Sequence, residues 1–209
     1  MVAVADSARV CRLTGILLAV RCWTVCLCSP SSQIDEPLTD STVGVYSLNW
    51  VYQCLYHTLS EADKAAAKPR VSGTILRYQP TGVDAENAVV CTFPHAIGIA
   101  SSSIRIGSEN APAVRISGTR GEIQVAGPAY RPMSYSIMRG GKVVETKQFP
   151  IPGQGMFWEA DAAARAIRDG LTECEVMPLR ESLLIMEAMD RVRSDNGFRY
   201  PEAIERTDR

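Results

Sequence analysis

The hydrophobic period changes twice along this chain, and that change constrains the fold more than any single motif. In VGVYSLNWVYQCLYH (Val43–His57), Val45, Leu48, Tyr52, Leu55 and Tyr56 share one broad apolar face, the three-and-four spacing of a helix packed on a core. From Arg70 the period becomes two. Val71–Arg77, Ala88–Phe93 and Ile97–Ile106 read as strands, with the turn-rich Pro80–Asn87 between the first two. Ala113–Ser117 and Glu122–Ala126 flank Gly118-Thr119-Arg120-Gly121, while Ser134–Met138 and Val143–Phe149 flank Gly140-Gly141. Both interruptions have hairpin chemistry. Strands joined this tightly, with no helix between them, must pair mainly antiparallel.

The helical period then returns. Met156–Asp169 sets Met156, Ala160, Ala163 and Ile167 on one face, allows Asp161 to pair with Arg165, and stops at Gly170. Pro178 opens a second helix and Asn196-Gly197 closes it. Its expected inner stripe is Leu179, Leu183, Met186 and Met189, with Glu187 in reach of Arg191. These two helices are expected to cover one face of the sheet, leaving the other to solvent or a second subunit. The predicted class is α+β: one helix, an open, mainly antiparallel sheet of about six strands, then two helices.

Residues 1–36 differ from everything after them and are expected to be a poorly ordered segment unrelated to a domain at 37–209. The apolar run Leu13–Val20 is preceded by Arg12 and interrupted by Arg21. Even extended to Cys28 it falls short of the ~20 apolar residues that span a bilayer. Cys26-Leu27-Cys28 before Ser29 is a poor signal-peptide cleavage site. A tether through residues 13–28 is the lesser reading, and the expected location is the cytoplasm. Ser29–Ser32 reads as a linker. Cys11, Cys22, Cys26 and Cys28 crowd this segment while Cys54, Cys91 and Cys174 are scattered beyond it. Seven cysteines without a regular framework suit a reducing compartment. They lack the paired CxxC units of zinc sites, and the chain has only two histidines, so no metal is expected. A net charge of −1 and no basic stripe interleaved with aromatics give no reason to expect nucleic acid.

Tyr46 is the candidate for chemistry. It follows Gly44 in the first helical turn, where the backbone can approach a ligand and a phenol can exchange a proton with it. On residue type alone a half-buried aromatic is the commoner explanation. Gly153-Gln-Gly155-Met-Phe-Trp158 follows a strand and precedes a helix, but Trp158 stands where a dinucleotide fingerprint has its third glycine, and Pro150 and Pro152 deform the turn. A plain loop entering a helix is favoured. No GxxxxGK[ST] cradle and no GxSxG elbow occur. His95 reads as a loop residue beside Pro94, and Glu159 and Asp161 at a helix start are explained by the helix dipole. Phe157 and Trp158, beside Gly155, are placed to line an apolar pocket or to pack in the core.

Several stretches carry a resemblance. GMFWEADAAARAIRDG (Gly155–Gly170), MPLRESLLIMEAMDRVR (Met177–Arg193) and GFRYPEAIE (Gly197–Glu205) resemble the end of the dimeric dihydrodiol dehydrogenases. That group includes the NADP-dependent D-xylose 1-dehydrogenases and belongs to the Gfo/Idh/MocA oxidoreductases. VRISGTRGEIQV (Val114–Val125) and the Val43–His57 helix are similar to the group's sheet and first helix, so the likeness runs from about Thr42 to Glu205.

The resemblance implies the C-terminal, substrate-binding and dimerising domain of an enzyme whose separate Rossmann domain binds NADP. It implies hydride transfer from an aldose C1 or a cyclic diol, with Tyr46 as the acid/base residue; Trp50, Phe157 and Trp158 are the candidate substrate-lining side chains. It also implies a homodimer through the open sheet face. The group's partner lysine lies in a Glu-Lys-Pro element of the nucleotide domain; here Lys68-Pro69 follows Ala67 and comes after the tyrosine, so it does not match. A phenol of ordinary pKa, about 10, is a weak base at neutral pH without such an ammonium. With no Rossmann fingerprint either, no cofactor is expected to bind this chain tightly. The expectation is a truncated, inactive dehydrogenase half, or else a non-catalytic dimerisation or interaction module derived from one.

Overall fold

A computed structural model describes residues 18–25, 40–106, 112–174, 176–200 and 202, with side chains from Gly44 onward. The cysteines at 11, 26 and 28 and the Ser29–Ser32 linker lie outside the described residues, as does the side chain of Cys22. The strands are β1 (Leu18–Val25), β2 (Arg70–Arg77), β3 (Asp84–Thr92), β4 (Ala96–Ser103), β5 (Val114–Gly118), β6 (Gly121–Val125), β7 (Ser134–Arg139) and β8 (Lys142–Gln148). The helices are α1 (Asp40–Tyr52), which runs on into a π-helical turn at Gln53–His57, then α2 (Glu61–Ala66), α3 (Phe157–Arg168) and α4 (Leu179–Asp195). The class is α+β, as the periods require.

Two antiparallel units, β2-β3-β4 and β5-β6-β7-β8, are joined by β1 into one sheet of order β2-β3-β4-β1-β5-β6-β7-β8. β1 runs parallel to β4 and antiparallel to β5. A strand from within residues 1–36, expected to be poorly ordered, therefore enters the middle of the sheet. The Pro80–Asn87 turn is also shorter than its composition suggests, because β3 begins at Asp84. Both glycine-bearing hairpins form as expected, and Gly140 and Gly141 take positive φ in the tight β7–β8 turn.

Alternation sorts the sheet into two faces. Val89, Cys91, Ala100, Val114, Ile116 and Val125 are buried with Leu48, Val51, Tyr52 and Leu55 of α1 and its π turn in one core. α1 lies across β4 so closely that a Cβ on Gly98 would overlap Val51 Cγ1. The opposite face carries Thr74, Ala88, Ser101, Arg115, Gln124 and Ser136, none of them buried, on adjoining strands. On it Ser117 Oγ donates to Glu122 at 3.1 Å, and Ser136 and Thr146 share a hydrogen bond of 3.0 Å.

The C-terminal helices depart from expectation. α3 buries none of its residues; Met156 before it and Ala160, Ala163 and Ile167 within it are exposed. α4 does pack on the sheet, but through Ile185, Ala188, Met189 and Val192, while Leu179, Leu183 and Met186 face outward. Two local demands set that rotation. Glu181 turns inward to accept from Lys64 Nζ at 2.6 Å, and Val192 sits over Gly73 of β2, where any Cβ would lie 3.1 Å from both of its methyls. Two stripes of equal period compete on this helix, and the buried carboxylate and the strand glycine choose between them. Glu187 pairs with Lys68 at 2.7 Å and Arg191 with Asp195 at 2.8 Å, in place of the expected Glu187–Arg191 pair. Asp161 and Arg165 do approach, at 3.7 Å.

Candidate active site

The first turns of α1 form one wall of a cavity of about 740 Å³. Tyr46, Asn49, Trp50 and Gln53 line it at successive helical spacings of three, one and three residues, the set that one helix face presents. Ala129–Pro132 after β6 and Gln148–Ile151 at the end of β8 form the second wall, closed by Gln154–Met156, Trp158 and Glu159 at the start of α3. Tyr46, Trp50 and Trp158, expected from the sequence at the substrate site, therefore meet on one concave surface. Phe157 does not line it. Its ring lies 4.8 Å from that of Trp158 and is turned outward, 44% exposed.

Tyr46 is 45% exposed and packs its ring 5.9 Å from that of Tyr130. Trp50 is nearly buried, and its indole N–H donates to the Ala129 carbonyl at 2.8 Å, which ties α1 to the loop after β6. Arg131 ties that loop to the opposite one: its Nη1 donates to Gln154 Oε1 at 3.1 Å and its Nη2 to the Gly153 carbonyl at 2.8 Å. Gly155 then allows the chain to turn into α3. Its φ is +82°, and a Cβ there would press on Ile151 at 2.9 Å and on the Trp158 ring at 3.3 Å. Gln53 donates to Met177 Sδ at 3.8 Å.

Asn49, Gln53, Tyr130, Arg131, Gln154 and Glu159 were not singled out for this site by sequence reasoning. Asn49 and Gln53 carried a usable signal, since they lie three and seven residues past Tyr46 on the same face. The loop residues carried none, because their approach depends on how two hairpins end. The wall is mixed: aromatic rings, four carboxamides, one carboxylate and one guanidinium. No lysine lines the cavity, so no ammonium from these residues lies against the Tyr46 phenol. Among the described residues no group of three or more His, Cys, Asp or Glu is placed to hold a metal ion.

Comparison with known proteins gives this cavity its context. Over 176 residues, 78% of the chain, it is 43% identical to D-xylose 1-dehydrogenase (NADP(+)) of Hypocrea jecorina, of which the match covers 44%. The chain belongs to the dihydrodiol and D-xylose dehydrogenase group of Gfo/Idh/MocA oxidoreductases. The same group supplies the trans-1,2-dihydrobenzene-1,2-diol dehydrogenase of Bos taurus, 30% identical over 171 residues, which are 77% of the chain and 47% of that enzyme. The chain thus spans about half the length of these curated relatives. No family model matches it.

Solved oxidoreductases share the fold at low identity. A 3-ketoreductase from Actinomadura kijaniata, described in complex with TDP-benzene and NADP, superposes with a TM-score of 0.61 at 16% identity over 92% of this chain and 56% of that one. UDP-N-acetylglucosamine 3-dehydrogenase from Acidithiobacillus ferrooxidans gives 0.59 at 14% identity, over 85% and 53%. The α+β fold is therefore one that these oxidoreductases contain within about half of their length.

Proposed function

We propose that these residues are the substrate-binding half of an NADP-dependent dehydrogenase that oxidises an aldose at C1 or a cyclic trans-diol. Tyr46 is its acid/base group. The reading is carried by one observation: the tyrosine singled out by resemblance opens onto the same cavity as Trp50 and Trp158, in a chain 43% identical to a D-xylose 1-dehydrogenase. The Tyr46 phenolate would accept the hydroxyl proton as the C–H bond breaks. The aromatic walls hold the ring carbons, and the carboxamides orient the hydroxyls.

NADP would take the hydride. The described residues do not fit it, since the cavity has no glycine-rich phosphate cradle and its one guanidinium already serves Gln154 and Gly153. A separate nucleotide-binding unit must present the nicotinamide and an ammonium for Tyr46. We further propose that the polar open face of the sheet mediates a homodimer, and that the chain works in a reducing, cytoplasmic compartment, which seven cysteines without a regular framework suit. Among the described residues no helix is long and apolar enough to cross a membrane.

The 209 residues taken alone should form essentially no NADPH with D-xylose or trans-cyclohexane-1,2-diol. Adding the nucleotide domain of the Hypocrea jecorina relative should restore measurable turnover, and Tyr46→Phe should abolish it. Strong turnover by the 209 residues alone would overturn the split-site reading. A stable dimer that no nucleotide domain rescues would favour a non-catalytic dimerisation module instead.

A further inference from the structure

α3 is apolar on two sides. Trp158, Ala162 and Ala166 recur at every fourth residue, are half-buried, and form its inner side. Phe157, Ala160, Ala163, Ala164 and Ile167 share the opposite side, an arc of about 120° on an α-helix, and all five are exposed. Alanine suits any helix surface, but Phe157 and Ile167 stand at the two ends of this stripe, and Ile167 is 77% exposed. Met156, also exposed, sits at the head of the stripe and lines the Tyr46 cavity. An apolar stripe continuous with a binding cavity marks a contact surface, and a helix apolar on both sides is covered on both in its working assembly.

We infer that the outward stripe of α3 is the docking surface for the nucleotide-binding unit that brings NADP to Tyr46. This rests on the dehydrogenase reading and deepens it, by naming where that partner lands. The cavity has no phosphate cradle and no lysine, so nicotinamide and ammonium must arrive from outside. The match covers 44% and 47% of the two curated relatives, so more than half of each lies beyond it, enough for a separate unit. α4 offers a rival outward stripe in Leu179, Leu183 and Met186. Its first turn, however, meets the far end of the Tyr46 helix through His57 and Glu181. His57 is eleven residues past Tyr46, roughly 16 Å along a helix. α3 begins in the cavity wall itself, so a body that holds nicotinamide against Tyr46 meets Met156 and Phe157 first. The partner presents an apolar patch to Phe157 and Ile167, and polar groups to Asp161 and Arg168 beside them.

Sedimentation of the 209-residue chain with the nucleotide domain of the Hypocrea jecorina relative and saturating NADP reads the association. Ile167→Lys should weaken it tenfold or more with an unchanged thermal melt, since Ile167 is exposed in the chain alone. Leu183→Lys, on the rival stripe, should leave it at the wild-type level. Where the separate domain does not fold, the two are joined in one polypeptide and a maleimide reports exposure. Ile167→Cys should then react at least tenfold more slowly than in the 209-residue chain, and Leu183→Cys equally fast in both. Association unaltered in Ile167→Lys, weakened instead in Leu183→Lys, or equal labelling of Ile167→Cys in both forms overturns the assignment. So does self-association of the 209-residue chain that Ile167→Lys abolishes, which makes a second copy the occupant. Tyr46-dependent turnover that Ile167→Lys leaves untouched removes this inference alone. Neither association nor turnover in the wild type removes the dehydrogenase reading with it.

Discussion

The Nδ1 atom of His57 lies 2.6 Å from Oε2 of Glu181, with both side chains almost fully buried. The approach is close without being aligned as a hydrogen bond. It joins the π-helical end of α1 to the first turn of α4, and Lys64 of α2 holds the other carboxylate oxygen while also reaching Glu61. Burial depresses the His57 pKa to about 4; Glu181 pulls it up and Lys64 pushes it down, and burial outweighs the attraction. The folded state therefore holds neutral imidazole against an unfolded value near 6.5. Above pH 6.5 neither state binds the proton and the junction is at full strength. Between 6.5 and about 4 the unfolded chain takes a proton the native state refuses, so stability falls by up to roughly 3 kcal/mol. His57→Asn should flatten this part of the profile in urea unfolding across pH; identical slopes in the two proteins would rule the account out.

Glu181 anchors the same junction from the other side. Glu181→Leu leaves Lys64 and His57 facing an apolar group in a dry site, and removal of one member of a buried pair typically costs about 3–5 kcal/mol. Lys64 is partly exposed and can turn toward Glu61, so the lower end of that range is expected. The midpoint of chemical denaturation reads it directly. An unchanged midpoint would mean that the carboxylate is dispensable.

Gly98 sets how closely α1 approaches the sheet. In Gly98→Ala the added methyl would occupy the place of Val51 Cγ1, so helix and strand must separate; overpacking of this kind typically costs about 1–3 kcal/mol. Val51→Ala, combined with it, should recover part of the loss. Two losses that simply add would show that the methyl does not press on Val51.

Trp50→Phe keeps a ring on the cavity wall and removes the donor to Ala129. The orphaned carbonyl should cost about 1–2 kcal/mol, and the Ala129–Pro132 loop should exchange amide protons faster while the β2–β3 hairpin does not. Equal protection in the loop of both proteins would count against the tie.

On α3, Ile167 is 77% exposed, and the helix buries nothing. Ile167→Lys should change stability by less than about 0.5 kcal/mol, whereas Val192→Ala on α4 should cost ~1 kcal/mol or more. The opposite ranking in thermal melts would restore the stripe that the sequence suggested.

The first helix was legible because Leu48, Tyr52, Leu55 and Tyr56 offered only one apolar face, and the hairpins because glycine pairs fix tight turns. α4 was misread because it offers two apolar stripes of the same period, and the choice depends on Gly73 and on the partners of Glu181, both distant in sequence. At the candidate site, Tyr46 was visible through resemblance and Trp158 through its place beside Gly155. Asn49 was passed over because a carboxamide on a helix reads as surface until the loops that bury it are in place. Phe157 was grouped with Trp158 by adjacency, but only the Trp158 ring reaches the cavity while Phe157 turns outward.

β1 has a consequence for how the molecule assembles. Its partners in β4 lie about 80 residues further along the chain, and those in β5 lie further still, so its pairing closes the longest loop in the sheet and tends to come late. Until then β4 and β5 are open edges with unpaired backbone donors and acceptors, templates for association with other chains. Anything that removes or delays Leu18–Val25 should therefore lower soluble yield and slow refolding, and should loosen the Tyr46 helix as well, because that helix packs on β1 as well as on β4.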